Sequence, residues 1–360
     1  MGLLEKKIDP DIEEMLAVIR RTALPKRVHH IELFLDQEIK EQVCKRFGLD
    51  AASDGLSSGL GREIKLHSFL GYDAFRIPLA VKGVFTTELL SAQDTTAIAE
   101  QRRGIRQWND EHSGPIQSWE DFEEYQWPKV KDINFGPLEW LAKNLPANMG
   151  CYDLTGHILE VATMLFGYES FCLKLYDEPE LVDAVFEKVG RFYVEYTRAL
   201  CDFPCVKLIW GSDDLGFRTS TLISAKLLRE KVLCWHKKCA EVAHQKGRPY
   251  LLHSCGQLEE IMDDLIDDVG IDGKHSYEDA ILPVTEAKKK YGGRMAILGG
   301  IDVDFLCRAD EKSIRRRVRE TLKTCMAGGG YCLGTGNTVA NYIPLENYLA
   351  MLDEGRKFAL

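Results

Sequence analysis

The chain has 360 residues, of which 45% are hydrophobic and 28% are charged, a balance that is typical of a globular protein rather than a disordered or fibrous one. The formal net charge of −10 argues against a broad nucleic-acid-binding surface, because such surfaces need clustered lysine and arginine. No apolar run approaches the length that a membrane-spanning helix needs, so no membrane partner is expected.

The eleven cysteines are scattered and odd in number, so they do not form the dense framework of a disulfide-rich scaffold. Residues 1–7 are charged and lack the apolar stretch of a secretory signal. Reduced thiols and a cytoplasmic location are therefore predicted. No linker, low-complexity segment or repeat divides the chain, which predicts a single domain over 1–360.

The first part of the chain, up to about residue 145, has an irregular pattern. Its predicted elements are helices over 11–21 and 36–47, a strand over 28–36, and a hairpin over 72–87 that turns at 82–83. Ser118, with Asp121 three residues later, predicts the start of a short helix. Residues 1–26 are expected to form an N-terminal helical extension.

From about residue 148 onward, strand-like and helix-like segments alternate. The predicted strands cover 148–152, 206–210, 249–253, 270–274, 295–298 and 330–333. Between them lie amphipathic stripes at helical spacing, such as Leu181, Val185 and Val189. Alternation of this kind implies parallel strands joined by crossover helices.

Five of these predicted strands end in short polar or glycine-rich segments. The segments are Gly211-Ser212-Asp213-Asp214, His253-Ser254-Cys255, Lys274-His275-Ser276, Gly299-Gly300-Ile301-Asp302 and Gly334-Thr335-Gly336-Asn337. In a doubly wound sheet ligands cluster at one switch point, whereas in a (β/α)8 barrel every strand exit faces one mouth. The predicted fold is therefore an α/β protein of the (β/α)8 TIM-barrel type with an N-terminal helical extension.

His253 and Cys255 are two residues apart at the end of the apolar run 249–252, so in an extended backbone their side chains point to the same side. An imidazole and a thiol in this arrangement can chelate one cation, and a distant third ligand would complete a catalytic zinc site with an open position. The alternative interpretation is a small buried thiol beside a hydrogen-bonded histidine.

The remaining exits supply candidate catalytic and substrate-binding groups. Asp213 and Asp214 alternate sides of the backbone, so at most one faces the pocket if the strand stays extended, and a loop-capping role is the alternative. Asp302 follows two glycines, which let the backbone bend close to a ligand. His275 is a fourth catalytic candidate, although Lys274-His275 also fits a surface salt bridge. The predicted substrate-binding residues are Lys274, Thr335, Asn337 and Tyr342.

The strand exits, with Pro344-Leu345-Glu346-Asn347 and the segment 165–182, resemble the uroporphyrinogen decarboxylase superfamily over about 148–357. This resemblance also implies a (β/α)8 barrel. Decarboxylases of that superfamily carry an N-terminal Arg-Gln-Ala-Gly-Arg run for the carboxylates of their substrate, and Arg102-Arg103-Gly104-Ile105-Arg106 does not match it. The other branch contains cobamide-dependent methyltransferases, some of which bind zinc through a His-x-Cys motif and a distant cysteine.

The resemblance assigns this metal motif to His253, Cys255 and Cys332. In the zinc enzymes the distant cysteine lies in a Gly-Cys-Gly turn, whose place Gly334-Thr335-Gly336 takes here, three residues after Cys332. The substitutes for Cys332 as third ligand are Asp302, Asp214 and His275.

The resemblance implies a methyltransferase that moves a methyl group between a small methylated donor, or a thiol acceptor, and a cobamide. Zn²⁺ would assist the transfer, and a small corrinoid protein would carry the cobamide as a partner. One alternative is a tetrapyrrole decarboxylase, which is a carboxy-lyase, and another is a non-catalytic protein that binds a corrinoid or tetrapyrrole. The exits at Asp213-Asp214 and Asp302 look closest to those of methyltransferases for methoxy compounds, and a homodimer is compatible with the sequence.

Overall fold

The computed structural model describes residues 3–49, 56–79, 84–87 and 89–359, and these form an α/β fold of helices and mainly parallel strands. The strands are β1 (Ala74–Arg76), β2 (Leu89–Gln93), β3 (Ile105–Asn109), β4 (Gly150–Tyr152), β5 (Leu154–Thr155), β6 (Ile209–Ser212), β7 (Tyr250–His253), β8 (Gly273–His275), β9 (Ala296–Leu298) and β10 (Tyr331–Cys332). The α-helices are α1 (Ile12–Ile19), α2 (Gln37–Phe47), α3 (Leu56–Leu70), α4 (Trp119–Glu124), α5 (Gly136–Asn144), α6 (Ile158–Phe166), α7 (Tyr168–Asp177), α8 (Pro179–Cys201), α9 (Ala225–Leu228), α10 (Cys234–Gln245), α11 (Val284–Tyr291), α12 (Val303–Arg308), α13 (Glu311–Cys325) and α14 (Leu345–Lys357).

The largest sheet contains six strands in the order β10-β9-β8-β7-β6-β5, and every neighbouring pair in it is parallel. β1 and β4 form a separate parallel pair, whereas β2 and β3 form an exposed antiparallel hairpin. Parallel bridges between single residues connect the sheets to each other and to the extended segment around residue 30: His30–Tyr72, His30–Leu333 and Cys151–Val206.

Most elements lie where the sequence pattern predicts them. The predicted helices 11–21 and 36–47 are α1 and α2, and Ser118 caps α4 by accepting a hydrogen bond from the backbone N–H of Asp121 at 3.2 Å. The six predicted strands of the second half are observed as β4 and β6 to β10, shifted by up to three residues. These positions could be predicted because hydrophobic periodicity is a local property of the chain.

The hairpin predicted over 72–87 is wrong. β1 pairs in parallel with β4 instead, the described residues 84–87 contain no strand, and the turn predicted at 82–83 lies outside the described residues. The predicted strand 28–36 is an extended segment held by single bridges at His30 and Leu35. In both cases the pattern indicates an extended, buried run but carries no information about its pairing partner.

Two apolar cores hold the fold together. The larger packs the helices against the outer side of the strands. The smaller lies between α1 and the strands, and its members are Ile12, Met15, Leu16, Ile19, Ile31, Leu33, Ala74, Tyr152, Leu154, Leu208, Trp210, Leu251, Ala296, Leu298 and Cys332. Among the described residues, no helix combines the length and the apolar character needed to cross a bilayer.

The carboxyl ends of β6 to β10 lie at the same edge of one parallel sheet. The register sets the relation between neighbouring ends, because Ser212 lies opposite His253 and His253 lies opposite His275. Side chains that directly follow these strands are therefore brought together by the sheet itself.

Candidate metal centre

Side chains at the ends of β6 and β7 bring three metal-ligand atoms together. Throughout the described residues, one group of this kind is found, in which the ligand atoms of Asp214, His253 and Cys255 all lie within 4.8 Å of one another. Sγ of Cys255 is 3.5 Å from Nε2 of His253, and that nitrogen is 3.8 Å from Oδ1 of Asp214. Oxygen, nitrogen and sulfur donors at such separations form a donor set that suits a catalytic zinc ion.

Two glycines allow the loops that carry these ligands to pack together. A Cβ atom on Gly256, whose φ is +82°, would lie 2.3 Å from the carbonyl carbon of Gly216, and a Cβ on Gly216 would lie 2.7 Å from the carbonyl oxygen of Cys255. The backbone N–H of Gln257 donates to the carbonyl of Phe217 at 2.7 Å across the same junction. Larger residues would force the loops apart and separate Asp214 from Cys255.

Two other strand exits contact the Cys255 thiol. Nδ2 of Asn337, after β10, lies 3.1 Å from Sγ of Cys255, and Oγ of Ser276, after β8, lies 3.5 Å from it. Ser276 has φ +114°, which is strained for any residue other than glycine. The strain is retained at the point where the serine hydroxyl reaches the thiol, which indicates a functional position for Ser276.

His253 is supported by a second buried histidine. Nδ1 of His253 lies 2.8 Å from Nδ1 of His275, whose Nε2 lies 3.2 Å from the carbonyl oxygen of Thr335. Burial lowers the pKa of His253 to about 3, with Lys274 adding to the effect, and burial also holds the pKa of His275 well below its ordinary value. Both imidazoles are therefore neutral at physiological pH, and neutral imidazole is the form that ligates metals. His275, predicted as a catalytic group, lies behind His253.

The Cys255 thiol fits a bound cation electrostatically. Without one, burial raises the pKa of Cys255 to about 12, with the negative charge of Asp214 adding to the effect, so the thiol stays protonated. A divalent cation at the centre would instead favour the thiolate, because a coordinating thiol loses its proton to the metal's charge. The donor set and its burial therefore fit zinc.

Lys274, predicted to bind substrate, braces the loops around the centre. Its Nζ donates to the carbonyl oxygens of Ser254 at 3.2 Å and Ser276 at 2.7 Å, and it lies over the ring of Tyr277. Burial lowers the pKa of Lys274 to about 8. The donated hydrogen bonds tie the exits of β7 and β8 together, on either side of Cys255.

Asp213 lies on the opposite side of the backbone from Asp214 and belongs to the fold. Its carboxylate accepts hydrogen bonds from the backbone N–H groups of Leu159 and Glu160, both at 2.9 Å, and from Nε2 of His236 at 3.1 Å. It thereby holds the start of α6, and burial raises its pKa although His236 opposes the shift. The carboxylate of Asp213, predicted as catalytic, is thus engaged by the backbone of α6 and by His236.

Asp302, also predicted as catalytic, caps α12. Oδ1 accepts a hydrogen bond from the backbone N–H of Phe305 and Oδ2 accepts one from that of Asp279, both at 2.9 Å. Tyr342, predicted to bind substrate, lies with 44% of its surface exposed and the guanidinium of Arg106 over its ring. Thr335 is buried, and its backbone N–H and its hydroxyl both bind Glu32.

Cys332 does not join the ligand group. It lies fully buried in the smaller apolar core opposite Leu298, and burial raises the pKa of its thiol. The third member of the group is Asp214, which the sequence analysis named as a substitute for Cys332. The physical reason is that the side chain of Cys332 packs in the smaller apolar core together with residues of α1.

Two cavities adjoin the centre. A cavity of about 940 Å³ reaches Cys255 and is also lined by Phe217, Asp302 and Phe305. A cavity of about 380 Å³ reaches the other two ligands, and its lining consists of Leu33, Phe34, Arg76, Asp153, Leu154, His157, Glu160, Ser212, Asp214, His253, Asn337 and Thr338. The ligand group thus borders both a larger and a smaller cavity.

Sequence patterns did not indicate Glu32 or Arg76. Glu32 is buried beneath Thr335, and burial raises its pKa to about 8 although two Thr335 hydrogen bonds oppose the shift. Arg76 enters the smaller cavity, where its Nε donates to Asp153 at 3.1 Å. A signal was available for Glu32, since an acidic residue within an apolar extended run demands a buried partner.

Comparison with known proteins identifies the class. The family model described as Uroporphyrinogen decarboxylase (URO-D) matches residues 111–358. The chain therefore belongs to the uroporphyrinogen decarboxylase family, and the resemblance of its motifs to that family is confirmed.

Individual relatives refine this placement. A uroporphyrinogen decarboxylase from Coxiella burnetii (strain RSA 331 / Henzerling II) is 22% identical over 272 residues, which are 68% of this chain and 69% of that protein. A uroporphyrinogen decarboxylase from Cupriavidus necator is 31% identical over 100 residues, 27% of this chain and 25% of its own length. A solved structure titled methyltransferase from Methanosarcina mazei has a TM-score of 0.73 and 17% identity, covering 98% of this chain and 100% of its own, which shows a shared fold.

Proposed function

We propose that this chain is a zinc-assisted methyltransferase, which moves a methyl group between a small methylated donor, or a thiol acceptor, and a cobamide on a small partner protein. The observation that carries the proposal is that the Asp214–His253–Cys255 group borders two cavities. Displacement at a methyl carbon needs the attacking and leaving atoms on opposite sides of that carbon. A ligand group that borders two cavities would give each of the two reactants a space beside the metal.

We infer that the parallel segments close into a (β/α)8 barrel in one domain. β10 is bridged to the segment around His30, that segment to Tyr72 before β1, β1 is paired with β4, and Cys151 of β4 is bridged to Val206 before β6. Closure would direct all strand exits to one mouth. The fold shared with the Methanosarcina mazei methyltransferase supports this inference.

Asp214, His253 and Cys255 would hold the zinc ion, which when bound supplies a Lewis acid that favours a substrate thiolate or polarises an ether oxygen. Asn337 donates to the Cys255 sulfur, and the backbone N–H of Cys255 donates to Oδ1 of Asp214 at 3.1 Å, so both ligand atoms are oriented by the chain. Apolar side chains of Leu33 and Phe34 in the smaller cavity would surround the methylated substrate.

Charge favours this function over tetrapyrrole decarboxylation. The smaller cavity carries the carboxylates of Asp153, Glu160 and Asp214 against the single guanidinium of Arg76. A substrate with four acetate side chains would meet like charges there, and like-charge contacts disfavour binding. A decarboxylase remains the second candidate because the family and the curated relatives carry that name.

The metal component is tested by a matched pair of cysteine variants. Purified protein should hold about one zinc per chain, as a mononuclear site requires. Cys255→Ala should lose most of it, whereas Cys332→Ala should retain it, because Cys332 lies apart in the apolar core. Plasma emission measures the content, and equal zinc in both variants would reject the ligand assignment.

The reaction is tested by spectroscopy of the cobalt centre. Protein is mixed with methylcobalamin and a panel of thiols, and separately with cob(I)alamin and a panel of methoxy-aromatics and methyl thioethers. Methyl exchange that is lost in His253→Ala supports the methyltransferase. Coproporphyrinogen formation from uroporphyrinogen without cobamide turnover would establish the decarboxylase instead, and cobamide or porphyrin binding without turnover would establish a binding protein.

A further inference from the structure

A chain of three polar groups runs from the metal centre into the protein interior. It begins at His253, continues through the ring of His275 and ends at the backbone carbonyl of Thr335. The two imidazoles approach through their Nδ1 atoms at 2.8 Å, and Nε2 of His275 lies 3.2 Å from the carbonyl oxygen. His253 is 4% exposed and His275 fully buried, so water has no ready access to these contacts.

The carbonyl at the end of the chain determines where each proton lies. A carbonyl oxygen only accepts hydrogen bonds, so Nε2 of His275 carries a hydrogen and donates. In a neutral imidazole the other nitrogen is then an acceptor, so Nδ1 of His275 accepts from Nδ1–H of His253. Nε2 of His253 is left with a lone pair, and this is the atom that faces Cys255 and Asp214.

The backbone fixes this carbonyl in place. The Thr335 oxygen also accepts a hydrogen bond from the backbone N–H of Gly300 at 3.0 Å. A Cβ atom on Gly299, whose φ is +72°, would lie 2.2 Å from that oxygen and 2.8 Å from Nε2 of His275. The missing side chain at Gly299 therefore leaves room for the His275–Thr335 hydrogen bond.

We propose that His275 is a positioning residue, which fixes the proton of His253 on Nδ1 and so presents the His253 Nε2 lone pair to the metal. This inference rests on the proposed function only for the identity of the metal ion that His253 Nε2 would bind. Metal-ligating histidines usually donate their other ring N–H to a fixed partner, and loss of that partner typically costs about 10- to 100-fold in metal affinity. Here the partner is a second histidine, itself oriented by a backbone carbonyl.

The first test needs no metal. Metal-free protein labelled with nitrogen-15 histidine is studied by long-range proton–nitrogen NMR at neutral pH, and the two residues are assigned from the signals that disappear in His253→Gln and His275→Gln. We expect the Nδ1–H tautomer at His253 and the Nε2–H tautomer at His275. An Nε2–H tautomer at His253, or a mixture of tautomers, would overturn the proposal.

The second test uses two replacements of His275. Glutamine can accept from His253 through its carbonyl and donate to Thr335 through its amide, whereas leucine has a similar size and does neither. Zinc affinity is measured by competition with a chelator, after circular dichroism shows that both variants are folded. His275→Leu should bind zinc about 10- to 100-fold more weakly than wild type, and His275→Gln should recover most of that loss.

The outcomes separate the two proposals. Equal affinity in wild type and His275→Leu, or equal weakening in both variants, would show that His275 serves only as packing. If wild type binds no zinc at all, the proposed function fails, while the tautomers observed in metal-free protein still decide the arrangement of protons.

Discussion

The exits of β7 and β9 both carry polar side chains but use them differently. After β7, His253 and Cys255 place their ligand atoms beside each other and beside Asp214 from the neighbouring exit. After β9, Asp302 directs both carboxylate oxygens to backbone N–H groups. One exit thus presents its side chains to a cavity, whereas the other uses its side chain to hold the chain in place.

The start of the next helix accounts for the difference. α12 begins at Val303, directly after Asp302, and the first N–H groups of a helix need an acceptor that a preceding aspartate supplies. After Cys255 the chain instead turns through Gly256 at φ +82°, and the next helical turn begins only at Glu259. Polar side chains at a strand exit therefore indicate a functional site only when their oxygen atoms do not accept hydrogen bonds from the first N–H groups of the next helix.

Asp213 and Asp214 show the same contrast within a single exit, since one binds backbone groups and the other belongs to the ligand group. The largest effect on the free energy of unfolding is expected when Asp213 is replaced. Asp213→Ala would leave His236 and two backbone N–H groups buried without their acceptor, which should cost about 3–5 kcal/mol. Asp214→Ala, whose side chain is 45% exposed, should cost less than about 1 kcal/mol. Urea unfolding followed by circular dichroism measures both, and equal losses would contradict the assignment of roles.

For zinc affinity the order should be reversed, so that Asp214→Ala has a larger effect than Asp213→Ala. Asp214→Ala removes one of three ligand atoms, so affinity should fall by at least about 100-fold, beyond the range seen when only a ligand's supporting partner is lost. Chelator competition measures the zinc affinity of Asp214→Ala and of the control Asp302→Ala. Asp302→Ala is the matched control, because its carboxylate lies at another exit and should leave zinc binding unchanged. If Asp302→Ala bound zinc more weakly while Asp214→Ala bound it as tightly as wild type, the roles assigned to these two aspartates would be wrong.

The fold could be predicted to the extent that it depends on local patterns. Alternating apolar segments located β4 and β6 to β10, and Ser118 marked the start of α4. The partner of β1 and the exposed hairpin of β2 and β3 could not be predicted, since pairing depends on contacts distant in sequence. Leu258, Ile261, Met262, Leu265 and Val269 are spaced as on one helix, which the sequence pattern predicts. The structure instead has a 3₁₀ turn at Glu259–Ile261 and a π-helical turn at Asp264–Val269, and periodicity does not distinguish these forms.

The candidate site could be predicted where two of its side chains are close in sequence at one strand end, and not where they come from different strands. His253 and Cys255 are two residues apart, so their common direction follows from strand geometry. Asp214 and Cys332 are both distant, and choosing between them requires knowing which residues lie beyond the strand ends. The relation of Cys332 to the smaller core and the contact of Glu32 with Thr335 depend on tertiary packing.

Glu32 is a third kind of carboxylate, because it accepts hydrogen bonds from the backbone N–H and the hydroxyl of Thr335 and is buried. Burial raises its pKa from 4.5 to about 8, so between these pH values the folded chain retains a proton that the unfolded chain releases. Stability should therefore fall as pH rises through this window, by about 1.4 kcal/mol per pH unit, and level off above it. Glu32→Gln should remove that part of the slope.

Urea unfolding of wild type and Glu32→Gln at several pH values measures the difference. Glutamine keeps an oxygen acceptor for the backbone N–H of Thr335, and its amide NH2 can donate to the Thr335 hydroxyl oxygen, so the variant should fold with the same two contacts, one of them with its donor reversed. Parallel slopes for the two proteins would show that Glu32 has the same pKa in both states.

The smallest effect is expected for the helix cap at Asp302. Asp302→Ala removes the acceptor for the N–H groups of Phe305 and Asp279, and loss of an N-cap typically costs about 1 kcal/mol. Asp302→Asn should recover most of this stability, because asparagine caps helices about as well as aspartate. If Asp302 instead acted on substrate, Asp302→Asn would lose methyl transfer while remaining stable. Unfolding and the cobalamin assay on the same two variants therefore determine whether the exit of β9 holds a helix or reaches the reaction.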